Sequence, residues 1–183
     1  MKINYEKEFK ILVSEPDFIA LANYYPNLCF VPQSNTYFDT EDRALANLKC
    51  SLRIRELDGR FEATLKIPED SGVMEYSYFV ASNNVDQLNH PKILGYLHSV
   101  GVYGPLKVIG NLQTNRATIK LEKGELCFDI NTYGTTKDLE IEYEQTEEHN
   151  GKKVFSDILK QVNLKYTKNC LSKVQRCLSS NSN

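Results

Sequence analysis

The chain has 183 residues, 41% apolar and 25% charged, which suits a globular protein long enough for one domain with a real core. A formal net charge of -2 excludes a global field for nucleic acid, so any polyanion site must be a local concentration of Lys and Arg. The five cysteines (Cys29, Cys50, Cys127, Cys170 and Cys177) are odd in number and form no C-x-x-C, which argues against a disulfide framework or zinc site and for a reducing cytoplasm.

Met1 leads into Lys2-Ile3-Asn4-Tyr5 without the apolar core of a leader, and no run approaches the roughly 20 apolar residues of a membrane span. A first strand is predicted over 3–13. Successive strand side chains point to opposite faces, so Glu6, Glu8 and Lys10 share one face and Tyr5, Lys7, Phe9 and Ile11 the other. Ser14-Glu15-Pro16-Asp17 predicts a capped helix start, with the helix running to about Tyr25 before Pro26. A strand over 32–38 leads to Asp39-Thr40, one of which is expected to cap a short turn through Leu45.

Ser51 to Arg55, the turn signal Asp58-Gly59 and the return Arg60 to Ile67 predict a hairpin. Arg53 and Arg55 lie opposite Leu52 and Ile54; Glu62, Thr64 and Lys66 lie opposite Phe61, Ala63 and Leu65. After a loop over 68–72, a strand over 73–80 sets Glu75 and Ser77 against Met74, Tyr76 and Tyr78. Pro91 starts a helix that Gly101 stops; His90 and His98 lie there, and His149 in a polar turn, none with a catalytic setting.

Strand-like segments over 106–109 and 115–121 flank Gly110, a turn is predicted at Lys123-Gly124, and strands follow over 126–131 and 138–144. Arg116, Thr118 and Lys120 share a face. Cys127, Asp129 and Asn131 oppose Leu126, Phe128 and Ile130, and Glu140, Glu142 and Glu144 oppose Leu139, Ile141 and Tyr143. A helix opens at Asn150-Gly151 and runs through Val162; a last one covers about 169–178, ahead of a frayed polar tail over 179–183.

About eight mostly antiparallel strands with amphipathic helices among them predict an α+β domain over 1–183, a closed or nearly closed eight-stranded β-barrel with flanking helices. The helices need apolar partners, so the apolar strand faces must point outward and the charged faces inward, the reverse of an ordinary barrel. So many charges cannot sit unpaired in a dry core. They suit a wet tunnel for a ligand of both signs, such as a triphosphate with divalent metal. Arg offers bidentate forks to phosphate and Lys a point charge, and carboxylates without His or Cys select Mg²⁺ or Mn²⁺.

Glu6-Lys7-Glu8-Phe9-Lys10 resembles the E-x-E-x-K signature of the CYTH superfamily, the triphosphate tunnel metalloenzymes. Tyr37-Phe38-Asp39-Thr40 resembles that family's Y-[YF]-D-T, Leu52 to Arg55 its L-R-x-R, and Thr64-Leu65-Lys66 its T-x-K. Arg116, Asp129, Leu139 to Glu142 and Ser172-Lys173 resemble its late arginine, aspartate, E-x-E strand and closing S-K. The stand-alone CYTH proteins of low-GC Gram-positive bacteria are the nearest in pattern.

The resemblance implies a metal-dependent triphosphatase. Glu6, Glu8, Asp129, Glu140 and Glu142 become metal ligands; Lys10, Arg53, Arg55, Lys66, Arg116 and Lys173 become phosphate binders. Glu6, Glu8, Lys10 and Glu142 are the expected catalytic set. Face alternation adds Glu62, Glu144 and the phosphate-binding candidate Lys120, and Ser77 stands where many members carry a second acid beside Glu75. The expected partner is inorganic triphosphate, a thiamine or nucleoside triphosphate or a short polyphosphate, with no nucleic acid duplex and no membrane; a homodimer is left open. The rivals are a class IV-type adenylate cyclase, a non-catalytic polyphosphate or nucleotide sensor, and a lipocalin-like barrel for apolar ligands.

Overall fold

The structure, a computed structural model, describes residues 1–180. Its strands are β1 (Lys2–Leu12), β2 (Val31–Asp39), β3 (Ser51–Leu57), β4 (Arg60–Glu69), β5 (Gly72–Val80), β6 (Lys107–Leu121), β7 (Gly124–Tyr133) and β8 (Thr136–Gln145). Its helices are α1 (Glu15–Ala22), α2 (Ala44–Asn47), α3 (Pro91–Ser99), α4 (Gly151–Lys160) and α5 (Lys173–Ser180). The strands pair in the order β1-β5-β4-β3-β2-β6-β7-β8, which closes on itself, so the predicted eight-stranded antiparallel barrel with flanking helices is the fold. The chain forms two compact units: one takes Met1–Tyr5, Gln33–Leu112 and the chain from Lys173, the other Glu6–Pro32 and Gln113–Ser172.

In the first unit Asp58 and Gly59 both have positive φ, 50° and 72°, the two-residue turn whose twist matches a hairpin. It sets Arg53 opposite Thr64 and Arg55 opposite Glu62. The other face, Leu52, Ile54, Ala63, Leu65 and Ile67, packs against Leu88 and against Ile93 and Leu97 of α3. In the second unit Ala117, Leu126, Phe128, Ile141 and Tyr143 pack against Phe18 and Leu21 of α1 and against Phe155, Ile158 and Leu159 of α4. Each apolar strand face therefore meets helices, as the inverted arrangement requires.

Asp39 closes the path out of β2. Its carboxylate accepts from the backbone N–H groups of Thr40 (2.7 Å), Leu45 (2.9 Å) and Ala46 (3.0 Å), and the residue is 1% exposed. The cap reading of Asp39 is correct. Asp39→Ala leaves three amides without their acceptor and is expected to lower stability by about 2 kcal/mol, the upper end of the helix-cap range. An unchanged urea midpoint in the variant contradicts that assignment.

Several predicted boundaries move, each for a local reason. The segments around Gly110 are one strand, since Gly110 is buried within β6 rather than at a break. The loop over 68–72 shrinks to Asp70-Ser71, because Glu69 pairs with Gly72 and Pro68 with Val73. Gly124 begins β7 instead of ending a turn. A Cβ there would lie 2.5 Å from the Tyr143 ring and 2.6 Å from the Glu144 carbonyl, so close packing demands the glycine. α1 stops at Ala22, and α4, capped by Asn150 on the Lys153 N–H at 3.0 Å, stops at Lys160. The last helix starts at Lys173, because Asn169 is engaged by β1: its Oδ1 accepts from Lys10 N–H (2.9 Å) and its Nδ2 donates to the Glu8 carbonyl (3.1 Å). Of the expected frayed tail, Ser179 and Ser180 belong to α5 and 181–183 lie outside the described residues. Among the described residues no helix is long and apolar enough to cross a membrane.

Candidate active site

The second unit carries Glu6, Glu8, Asp129, Glu140 and Glu142. Antiparallel register places Asp129 opposite Arg116 across β6 and β7, and opposite Glu140 across β7 and β8. Directly opposed strand residues hold their Cβ atoms about 4.5–5.5 Å apart, so charged side chains at these positions are within reach of one another. Asp129 and Glu140 are fully buried and Glu142 is 5% exposed. One carboxylate oxygen from each lies within 4.8 Å of the other two.

Arg116 sits against this cluster. Its Nε donates to Asp129 Oδ1 at 2.7 Å and its Nη2 to Asp129 Oδ2 at 2.5 Å, and Nη2 also reaches Glu142 Oε2. Burial works against the guanidinium charge, but Glu142 and Asp129 outweigh it and hold the pKa well above its ordinary value. Cys127, opposite Glu142 in register, is different: burial first, then Glu142, push its thiol up to about 12 despite Arg116. It is a protonated thiol at neutral pH and no nucleophile.

On β1, Glu6 and Lys10 are buried and Lys10 Nζ pairs with Glu8. Glu144 is half-buried, and Lys120 stands exposed toward the end of β6, opposite Glu125 in register. Thr114 Oγ1 donates to Asn131 Oδ1 (2.7 Å), while Asn131 Nδ2 (2.9 Å) and the Tyr133 hydroxyl (2.5 Å) donate to Asp138. None of these is among the candidate site residues, although alternation places Asn131 on the face of Asp129. Thr114 lies two residues before Arg116 and Asp138 two before Glu140, so the same alternation, carried one step further, finds both.

The first unit carries Arg53, Arg55, Lys66 and Lys173. Arg55 Nε donates to Asn35 Oδ1 at 3.1 Å, a positioning contact that no motif announced. Lys66 pairs with Glu75 at 2.7 Å, as the β4–β5 register dictates, so Glu75 neutralises Lys66 without a second acid at Ser77. Glu62 is half-buried and opposite Arg55. Arg53 Nε is buried and meets no hydrogen-bond acceptor among the described residues, the state of a donor suited to an anion. Lys173 is the first residue of α5, and Arg176, one turn on, is buried. The histidines are structural: His90 Nδ1 accepts from Lys92 N–H (3.2 Å), His98 stacks on Tyr103, and His149 bonds the Tyr143 hydroxyl (2.9 Å).

A closed eight-stranded antiparallel barrel that buries carboxylates on one strand face and packs helices against the other is the arrangement of this chain. The CYTH domain model matches residues 4–178, and the chain belongs to the CYTH domain family. It is 32% identical over 165 residues to "Putative triphosphatase YjbK" of Bacillus subtilis (strain 168), covering 87% of each chain. It resembles the crystal structure of a "putative adenylate cyclase" from Bacillus halodurans at 33% identity and a TM-score of 0.86, over 96% of this chain and 98% of that one. It shares its fold with HpAC1 from Hippeastrum, at 23% identity and a TM-score of 0.76, over 98% and 96% of the two chains.

Proposed function

We propose that this protein is a divalent-metal-dependent triphosphatase, with inorganic triphosphate as its first substrate. The buried cluster of Asp129, Glu140 and Glu142 carries the reading. Three carboxylates drawn together out of water bring three negative charges against the one positive charge of Arg116, and a hard divalent cation is the chemistry that offsets the excess. The donor set is all oxygen, which fits Mg²⁺ or Mn²⁺. These three residues hold the ion, with Glu6 and Glu8 as the further ligands the family pattern implies. When bound, the ion supplies Lewis acidity and an acidified water.

The remaining work falls to the chain's own cations. Arg53, with a buried Nε that lacks an acceptor, and Arg55, oriented by Asn35, offer forked donors to phosphate oxygens. Lys10, Lys66, Arg116, Lys120 and Lys173 add charge that stabilises what builds on the transferring phosphoryl group. Inorganic triphosphate presents only phosphate oxygens, which match this inventory. The name of the Bacillus subtilis relative supports hydrolysis; that of the Bacillus halodurans structure favours, as a second reading, expulsion of pyrophosphate from ATP.

The test is a panel of inorganic triphosphate, ATP and thiamine triphosphate with Mg²⁺ or Mn²⁺, following phosphate release and cyclic AMP. Metal-dependent phosphate release, fastest from inorganic triphosphate, is the expected result. Cyclic AMP as the main product moves the assignment to a cyclase. Tight binding of all three without turnover makes the protein a sensor.

A further inference from the structure

The acids that suit a metal ion already have a cation. Arg116 engages both oxygens of Asp129 and Oε2 of Glu142, two of the three carboxylates in the buried cluster. A fork on Asp129 occupies one site on each of its oxygens, two of about four lone-pair positions, and a divalent ion brought to the same carboxylate is repelled by the guanidinium at such range. The guanidinium cannot yield by losing its proton, since arginine stays charged in proteins. It can yield only by moving its charge to another anion. The side chain that must move is on β6, opposite Asp129, and is long enough to reach two strands away to Glu142.

We infer that Arg116 is a movable counter-ion that competes with the divalent cation for Asp129 and Glu142 and couples metal binding to binding of the phosphate chain. The inference rests on the metal-site reading above. A phosphate chain that draws the guanidinium away frees the carboxylates, and an ion on the carboxylates frees the guanidinium for phosphate. By linkage each ligand then raises the affinity for the other by the same factor. Arg116 is a positioning residue toward the metal and a phosphate binder once released.

Direct Mn²⁺ binding, read as loss of the free-ion electron paramagnetic resonance signal at pH 8 without any phosphate, tests this. Arg116→Ala is expected to bind Mn²⁺ at least about 10-fold more tightly than the wild type, within the usual range of such couplings. Arg116→Lys, with a single charge and no fork, is expected to fall between. In turnover, Arg116→Ala needs less metal for half-maximal rate but shows a raised KM for triphosphate. Circular dichroism reports folding. An alanine variant that folds only when Mn²⁺ is added supports the competition, because the ion then replaces the guanidinium. Equal or weaker Mn²⁺ binding by both variants overturns the inference and leaves the metal site standing. Absence of Mn²⁺ binding by wild type and variants alike overturns both.

Discussion

Glu142→Gln is expected to reduce triphosphate hydrolysis by at least about 100-fold, since losing even an outer partner of a metal ligand costs 10–100-fold. Glutamine keeps the size of the side chain and one acceptor oxygen. It removes one charge from the proposed metal site and one of the two acids that hold Arg116. The metal concentration for half-maximal rate rises with the loss of rate, which separates a ligand defect from a phosphate-binding defect. Stability moves little. The variant has less buried charge to desolvate, and Arg116 retains its two bonds to Asp129. Phosphate-release assays across a Mg²⁺ and Mn²⁺ series and urea unfolding together read both quantities. If Glu142→Gln combined with Glu6→Gln hydrolyses triphosphate at the wild-type rate, the carboxylates play no part in the chemistry.

Phe128→Ala should be the most damaging single change to the fold. Phe128 is fully buried and sits edge-on to Phe18, with ring centroids 5.5 Å apart, and to Tyr25 at 5.8 Å. Truncation empties a ring-sized volume where β7 meets α1, for a loss of about 3–5 kcal/mol. That is a large part of the roughly 5–15 kcal/mol that a domain of this kind holds. Urea unfolding of Phe79→Ala is the control, because Phe79 is 72% exposed and its loss should stay within about 0.5 kcal/mol. Near-equal losses for Phe128→Ala and Phe79→Ala would mean that the apolar strand face is not what holds β7 to its helix.

Residue alternation made the faces of the sheet legible before any coordinates. Leu52, Ile54, Leu126, Phe128 and Ile141 all join the apolar clusters, and Asp129, Glu140 and Glu142 all lie opposite them and buried. Which charges touch was not legible. The meeting of Arg116 with both Asp129 and Glu142 depends on the register of two successive hairpins, which turn geometry and packing fix. Asn169 illustrates a different limit. The pattern starts the last helix at about 169, yet the Asn169 amide is taken up by β1, which offers a donor and an acceptor together. A local pattern cannot register a partner 159 residues away. Asn35 escaped for a similar reason: a neutral amide beside an arginine announces nothing until Arg55 Nε is seen to point at it.

Because the strand order is a ring, each of the eight strands has a neighbour on both sides, and no hydrogen-bonding rim is left among the described residues for a foreign strand to join. A sheet this rich in Val, Ile, Phe and Tyr would otherwise be a template for fibrils. Ring closure makes the native state indifferent to such seeding, and confines that hazard to molecules in which a seam has opened.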